Sequence, residues 1–576
     1  MNFMSRYKDW LLSDYFDEET KNELEKLEED KEEIEDRFYK DLDFGTGGLR
    51  GKIGAGTNRM NKYTVRKSTQ GLANYIINYK DDGSKKGAVI AYDSRHKSRE
   101  FAEEVALVLN GNGVETYLFD ELKPVPELSF AVRELKAIAG IMITASHNPS
   151  EYNGYKVYGK DGGQVVPEKA RKITAEIKEI DDFSLVKRME KKEAKKEGLY
   201  NIIGEEINKK YIKAVKENIP EKKLCSEKGK NLSLIYTPLH GTGNKPVRRV
   251  LKELGFKNVK VVEEQVQPDP DFSTVEVPNP EEFSSFSLAL DQAETEKPEL
   301  IIGTDPDCDR MGLVVKNKDG DYLDLNGNQI GVLLFNYIME RTEPPADGVL
   351  IKTIVTTEMA GKIAEDYGIE CQDVLTGFKY IGEKIKIFEE DDNKSFIFGF
   401  EESYGFLAGT YTRDKDAVVA SALAASMALY YKEKENMTLF EKLEKLYEDY
   451  GYFREELEAI RMEGKEGKEK ITEFLQGLRE DQLSSIAGKE IIWYKDYLEG
   501  VSYNYQEDTE TEIDLPESEV LQYKLEDESL ITIRPSGTEP KLKIYFAVNA
   551  GNEEDAQTRL DELKDKVMNM IEEELK

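Results

Sequence analysis

Asp305, Asp307 and Asp309 alternate in the run Gly303-Thr304-Asp305-Pro306-Asp307-Cys308-Asp309-Arg310-Met311-Gly312. Alternating carboxylates on an extended turn converge on one hard cation, and oxygen ligands of this kind suit Mg2+. The spacing fails as an EF-hand. Counted from Asp305, Arg310 takes the place of the obligatory glycine and Lys316 that of the closing glutamate. An acidic surface turn is the plain alternative. A second stretch offers a nucleophile: the apolar run Ile141-Met142-Ile143 gives way to Thr144-Ala145-Ser146-His147-Asn148-Pro149. A buried strand delivers a hydroxyl to a loop at a sheet edge in this way, which makes Ser146 the candidate.

Other clusters carry binding groups. In Phe398-Gly399-Phe400-Glu401-Glu402-Ser403-Tyr404-Gly405, carboxylate and hydroxyl groups share a tight loop, a combination suited to sugar hydroxyls, each of which donates and accepts. Arg534-Pro535-Ser536-Gly537-Thr538-Glu539-Pro540-Lys541 gathers a guanidinium, hydroxyls and a glycine amide into a phosphate-holding nest. The glycine-rich segments Phe44 to Gly51 and Gly54 to Asn61 let backbone amides approach an anion, and Arg50 adds a fixed fork of donors; each also reads as an ordinary turn. His240, in Thr237-Pro238-Leu239-His240-Gly241, reads equally well as structural.

The elements that must position these groups follow the order strand, polar turn, helix, strand. That is the grammar of doubly wound α/β domains, whose ligands sit beyond the carboxyl ends of the strands. Strands are expected at Ala88 to Tyr92, Glu115 to Asp120 and Ala137 to Ala145, with Asp93-Ser94-Arg95 and the Ser146 loop at their ends and Tyr152 to Tyr158, containing Lys156, following. A second set is expected near Leu232, Val259 and Leu300, and a third at Val349 to Val355 and Ser395 to Phe398. A final region from Gly451 holds a helix at Ile471 to Leu478, a loop-rich middle, two strands around Leu530 and Leu542, and a closing helix after Asn552. One amphipathic helix is expected over Glu18 to Tyr39. The stretch from Asp181 to Gly198 reads as a solvated helix and connection, and no internal repeat is evident. The boundaries expected are 1–204, 205–327, 328–450 and 451–576.

With 576 residues the chain is too long for one hydrophobic core. Lys and Arg number 81 against 115 Asp and Glu, a net charge of -34 that repels nucleic acid and anionic lipid. An anionic substrate therefore needs local cations, metal or backbone amides to reverse the field, which sharpens interest in Arg and Lys inside glycine-rich loops. No run approaches the roughly 18 consecutive apolar residues of a membrane span. Three scattered cysteines offer neither a disulfide framework nor a zinc spacing. The N-terminal stretch has no secretory pattern. A cytoplasmic protein is expected, with no nucleic-acid or membrane partner.

Taken in chain order, FGTGGLRG with GAGTNRMN, TASHNP, TPLHGTG, DPDCDR, TGFK, FEESYG and RPSGTEPK resemble the loops of the alpha-D-phosphohexomutases, the phosphoglucomutase and phosphomannomutase family, and are nearest its bacterial phosphoglucomutase branch. Cys308 replaces the usual small residue of the metal loop. The resemblance covers nearly the whole chain. It implies three doubly wound mixed α/β domains plus a C-terminal α+β domain like the TATA-binding protein, all around a central cleft. It further implies that Ser146 carries a phosphoryl group and, with Asp305, Asp307 and Asp309, holds one Mg2+ per chain. His147, Lys379 and Arg50 become the catalytic candidates. Arg95, Lys156, Arg310, Glu401, Ser403, Arg534, Ser536, Gly537 and Thr538 become the substrate-binding ones. The implied reaction interconverts glucose 1-phosphate and glucose 6-phosphate, with glucose 1,6-bisphosphate as intermediate and activator, in a monomer or weak dimer. Mannose or pentose phosphates as substrates, synthesis of glucose 1,6-bisphosphate, and a noncatalytic sugar-phosphate sensor are the alternatives. A serine hydrolase fits poorly, because no G-x-S-x-G elbow surrounds Ser146.

Overall fold

The computed structural model of the protein describes residues 2–45, 47–78, 83–462, 464–481, 483–536 and 541–575. Within them the chain builds four sheets in sequence order. The first runs β1-β5-β4-β2-β3-β6, from β1 (Gly48–Lys52), β2 (Ala88–Tyr92), β3 (Thr116–Phe119), β4 (Ala139–Ile143), β5 (Tyr152–Gly159) and β6 (Tyr200–Ile203). The second runs β11-β10-β9-β7-β8, from β7 (Ser233–Thr237), β8 (Asn258–Val261), β9 (Leu300–Thr304), β10 (Met311–Lys316) and β11 (Tyr322–Leu325). The third runs β13-β12-β14-β15, from β12 (Gly348–Thr353), β13 (Glu370–Val374), β14 (Ser395–Glu401) and β15 (Gly405–Ala408).

One device recurs in all three. A buried strand of the parallel core turns back into an antiparallel neighbour, and the turn carries the polar cluster: β4 into β5 at Ser146, β9 into β10 at the aspartates, β14 into β15 at Glu401 to Ser403. This is an internal structural repeat that the sequence hides, since the three turns differ in length and chemistry. Each turn holds one non-glycine residue at positive φ, Ser146 at 53°, Cys308 at 54° and Tyr404 at 62°. Such backbone persists only where its surroundings over-determine it, and it concentrates at functional loops.

The fourth sheet is antiparallel, in the order β16-β23-β22-β21-β18-β19-β20, from β16 (Tyr452–Arg461), β18 (Lys489–Asp496), β19 (Val501–Asn504), β20 (Thr509–Glu512), β21 (Leu521–Leu525), β22 (Leu530–Pro535) and β23 (Lys541–Ala550), with the short β17 (Ser485–Ile486) pairing β18. The loop-rich middle expected there is therefore a run of strands. β18 and β19 are only partly buried and β20 is exposed, so the apolar alternation that marks a strand is diluted by Lys, Glu and Tyr. Helices Gly464–Glu480 and Glu553–Glu574 accompany this sheet, and Leu475, Leu560, Leu563 and Val567 join one core with its strands.

The first three units close around the helix Ala417–Tyr430, which is apolar on every side and buried from Ala417 to Leu429. A helix without a polar face must lie inside a protein or a bilayer. Here it packs on helices Glu205–Glu217, Asn244–Leu254 and Gly327–Arg341. Its N-cap Asp416 accepts hydrogen bonds from the amides of Val418 and Val419 and the hydroxyls of Tyr211 and Tyr411. Among the described residues no helix is long and apolar enough to cross a membrane.

The N-terminal segment is three helices, Phe3–Leu12, Glu18–Glu25 and Lys31–Phe38, rather than one over Glu18 to Tyr39. Asp30 breaks the run: its side chain caps the third helix by accepting from the amide of Glu33. Trp10, Phe16, Leu24, Ile34 and Phe38 form a separate core with Ala55 and Tyr63.

Candidate active site

Ser146 Oγ donates to Asp305 Oδ2 at 2.8 Å, joining the first sheet's loop to that of the second. Locally, the Ser146 amide donates to Thr144 Oγ1 at 2.8 Å, and the loop behind it is gripped by Arg95. That guanidinium is buried, pairs with Asp93 at 3.4 Å, and donates to the carbonyls of Ser146 (2.6 Å), Asn148, Pro149 (2.7 Å) and Tyr152 (3.1 Å). With its donors directed into loop carbonyls, Arg95 stands as a brace under Ser146, a placement different from the substrate contact expected of it.

Asp305, Asp307 and Asp309 each bring one carboxylate oxygen within 4.8 Å of the others, all buried. The turn is organised by Asp305 Oδ1, which accepts from the amides of Asp309 and Arg310 at 3.0 Å. Lys156, on β5, pairs with Asp307 at 2.8 Å and Asp309 at 3.5 Å, and Thr144 Oγ1 also donates to Asp307. Asp307 Oδ1 and Asp309 Oδ1 are buried without a hydrogen-bond partner. Unpaired buried carboxylate oxygens are costly, and a hard divalent cation is the partner they fit. Burial and then the charges of Asp307 and Asp309 push Asp305 well above the usual carboxylate range, and burial and then Asp307 raise Asp309 to about 7. Burial acts the same way on Asp307, but the Lys156 cation prevails and holds its carboxyl below that range. Cys308 is buried beneath the turn, its thiol pushed up first by burial and then by Asp416, which fits a packing role.

His147 Nδ1 lies 3.3 Å from Ser146 Oγ. Burial, followed by the cations Arg310 and Arg50, pushes its imidazole well below the ordinary histidine value, so the ring is neutral. Arg50, exposed on β1, donates to Asn148 Oδ1 at 3.1 Å.

Facing these groups is a cavity of about 440 Å³ between the four units. His147, Arg310, Thr376, Glu402, Ser403 and Arg534 line it, together with Lys543. Arg310 is ion-paired with Glu281. Lys543 is the cross-strand neighbour of Arg534 on β23, so two cations of the fourth sheet stand side by side. Lys543 escaped the sequence reading; its signal is a lysine alternating with apolar residues within Leu542-Lys543-Ile544. Ser536 follows β22, its amide bonded to the carbonyl of Lys541 at 2.7 Å. Gly537 and Thr538 lie outside the described residues.

Glu401 and Lys379, both expected at the substrate, are not among the residues that line the cavity. Glu401 is buried and pairs with Lys415 at 2.6 Å. Lys415 in turn lies 4.0 Å from Asp309, so it links the sugar-loop candidate to the carboxylate cluster. Burial opposes its charge, but Asp309 and Glu401 keep the ammonium protonated. Lys379 opens the helix Phe378–Asp391, over the ring of Tyr380, and burial lowers it to about 8. Lys415 was missed because Arg413-Asp414-Lys415-Asp416 reads as a solvated charge run; its clue is the wholly apolar helix that follows. His240 is held by Gln267 O and Thr274 Oγ1 at 2.9 and 2.8 Å, the structural alternative.

A serine hydroxyl set against a carboxylate triad, across from a cation-lined cavity in a four-unit α/β fold, is a constellation suited to phosphoryl transfer. Models of phosphoglucomutase/phosphomannomutase alpha/beta/alpha domains I, II and III match residues 41–183, 209–320 and 326–450. The chain belongs to the phosphoglucomutase/phosphomannomutase family. It is 38% identical over 555 residues to the phosphoglucomutase of Staphylococcus haemolyticus strain JCSC1435, covering 96% of each chain, and 38% identical over 546 residues to that of Staphylococcus aureus strain MRSA252, covering 92% and 94%. A putative phosphomannomutase from Thermus thermophilus shares the fold at TM-score 0.66 and 22% identity, covering 92% of this chain and 99% of the other. The open form of Paramecium parafusin, a phosphoglucomutase, does so at TM-score 0.67 and 17% identity, covering 92% and 93%.

Proposed function

We propose that the chain is a phosphoglucomutase that moves a phosphoryl group reversibly between Ser146 and a hexose phosphate. The observation that carries this is the 2.8 Å contact of Ser146 Oγ with Asp305, because it sets a nucleophilic oxygen at the edge of a cation-binding cluster. Asp305, Asp307 and Asp309 would hold Mg2+ with an oxygen on Ser146. The ion supplies charge neutralisation on the phosphoryl oxygens, where positioning and electrostatics provide most of the catalysis.

The chain's own groups account for the rest. The phosphoryl–oxygen bond to Ser146 breaks as a bond to the sugar's free hydroxyl forms, and the hydroxyl proton passes to a base. His147, which lines the cavity beside Ser146, and Lys379 are the two candidates for that base, although burial and the Arg310 and Arg50 cations make neutral His147 a weak one. Arg310, Arg534 and Lys543 hold the phosphate that is not reacting, with Ser536, Gly537 and Thr538 completing the nest, and Ser403 meets sugar hydroxyls. The bisphosphate then turns over, and its other phosphoryl returns to Ser146. Lys156 and Lys415 keep the carboxylate cluster in place, Glu401 acts through Lys415, and Arg50 steadies the serine loop through Asn148. Glucose 1,6-bisphosphate restores the phosphoserine when it is lost.

The names of the staphylococcal relatives favour glucose as the sugar. The three free cysteines suit a cytoplasmic setting. Turnover of glucose, mannose, ribose and deoxyribose 1-phosphates, measured with and without added bisphosphate, tests the assignment. A large preference for the pentoses would replace it.

A further inference from the structure

We propose that the N-terminal helices are a positioning clamp for Arg50, with Arg37 as its key residue; this rests on the role given to Arg50 above. The matched family model for domain I begins at residue 41, so the three helices precede it. They dock on the second glycine-rich patch, Gly54 to Asn61, which is thereby accounted for without an anion.

Arg37 stands at the centre. Its guanidinium donates to Ala55 O at 3.1 Å and to Glu33 at 2.7 Å and is paired with Glu23. Glu23 in turn accepts from the Ala55 amide at 3.0 Å, and the Arg37 carbonyl accepts from the Asn58 amide at 2.9 Å. The start and the middle of the patch, at Ala55 and Asn58, are therefore tied to Arg37 through its guanidinium and its carbonyl. The glycines record the closeness of the fit. A Cβ on Gly56, where φ is 134°, would stand 2.8 Å from Arg37 O, and one on Gly54 would stand 3.1 Å from both the Arg37 guanidinium and the Glu23 carboxylate. Arg59, buried, closes the contact on Glu33 and Asp36.

The patch continues directly from β1, which carries Arg50. The Met60 amide donates to Lys52 O at 2.8 Å, and the Ile53 amide reaches Glu151 O, in the serine loop, at 2.7 Å. Arg50 pairs with Gly154 across the sheet and donates to Asn148 in that same loop. A displacement of the patch therefore moves the end of β1 relative to the serine loop, the geometry on which Arg50 depends.

The test is a double-mutant cycle read as kcat and KM for glucose 1-phosphate with bisphosphate present. Arg37→Ala is expected to lower kcat about tenfold with KM little changed, since misplacement of a catalytic neighbour acts on the transition state. In an Arg50→Ala background the same change is expected to have little further effect, because residues acting as one unit are not additive. Gly56→Ala, which pushes the contact apart from the opposite side, carries the same cycle if Arg37→Ala folds poorly. Arg37→Lys is expected to recover only part of the activity, since an ammonium lacks the planar fork. Independent, multiplying effects of the two substitutions, or wild-type kcat in Arg37→Ala and Gly56→Ala, would overturn the clamp alone. Wild-type kcat in Arg50→Ala would instead remove the role given to Arg50, and the clamp with it.

Discussion

Ser146 and Asp305 are separated by 159 residues and meet through a 2.8 Å hydrogen bond between two different sheets. Each stands at the same place in its sheet, in the turn from a buried parallel strand into an antiparallel one. The site is thus assembled by repeating one supersecondary device and changing the chemistry of its turn.

Asp307 tests the cation-binding half of that pairing. Its Oδ2 is taken by Lys156 and Thr144 while its Oδ1 has no hydrogen-bond partner. Asp307→Asn is expected to weaken Mg2+ by at least the roughly 10–100-fold that loss of a supporting partner costs at metal sites. Titration of activity with Mg2+ after chelator treatment measures it. An unchanged midpoint would remove Asp307 from the ligand set.

Arg95 supports the serine loop through four carbonyl contacts that a lysine cannot reproduce. Arg95→Lys is expected to lower kcat by about 10²-fold through misplacement of Ser146, with KM nearly unchanged. A raised KM at full kcat would return Arg95 to the substrate.

Lys379 makes a prediction about pH. Burial lowers it to about 8, so its cation is present below that pH and lost above it. If it attracts the anionic substrate, KM rises as pH passes through about 8. Lys379→Arg should abolish the rise, because arginine stays charged throughout this range. The sign for stability is opposite. The unfolded lysine keeps its proton to about pH 10.4, so between about 8 and 10.4 the unfolded state binds more protons and this group adds stability as pH increases. A flat KM profile across this range would exclude Lys379 from substrate attraction.

Trp10 anchors the N-terminal helices. It is buried, stacks on Phe16 at 4.1 Å between centroids and meets Phe38 and Tyr63 edge-on. Trp10→Ala is expected to cost about 3–5 kcal/mol in the unfolding step that involves these helices. Denaturant unfolding followed by hydrogen exchange at residues 3–38 reads it; unchanged protection would mean that the helices are held elsewhere.

Strand ends were the legible part of the sequence. At Ser146, Asp305 and Arg534 an apolar run stops abruptly at small, acidic or basic residues, and periodicity alone marks where chemistry is presented. Direction was not legible. Arg95 and Arg50 are both arginines near sheet-edge loops, yet one is buried under Ser146 and the other exposed, a difference set by tertiary packing. The patch Gly54 to Asn61 carries the glycine spacing of an anion loop but serves as a socket for Arg37, because close approach of any group, anion or side chain, makes the same demand on Cβ. Lys415 was not legible, because charge in a linear sequence gives no sign of burial, and only the apolar helix after it carries that information.

The covalent state of Ser146 is the most direct measure of the whole account. Peptide mass spectrometry of the purified protein should find phosphate on the Ser146 peptide, and removal of that phosphate should make activity depend on added glucose 1,6-bisphosphate. Ser146→Ala should carry no phosphate there, bind sugar phosphate and fail to turn it over. Full activity in Ser146→Ala, or in protein stripped of phosphate and given no bisphosphate, would contradict it.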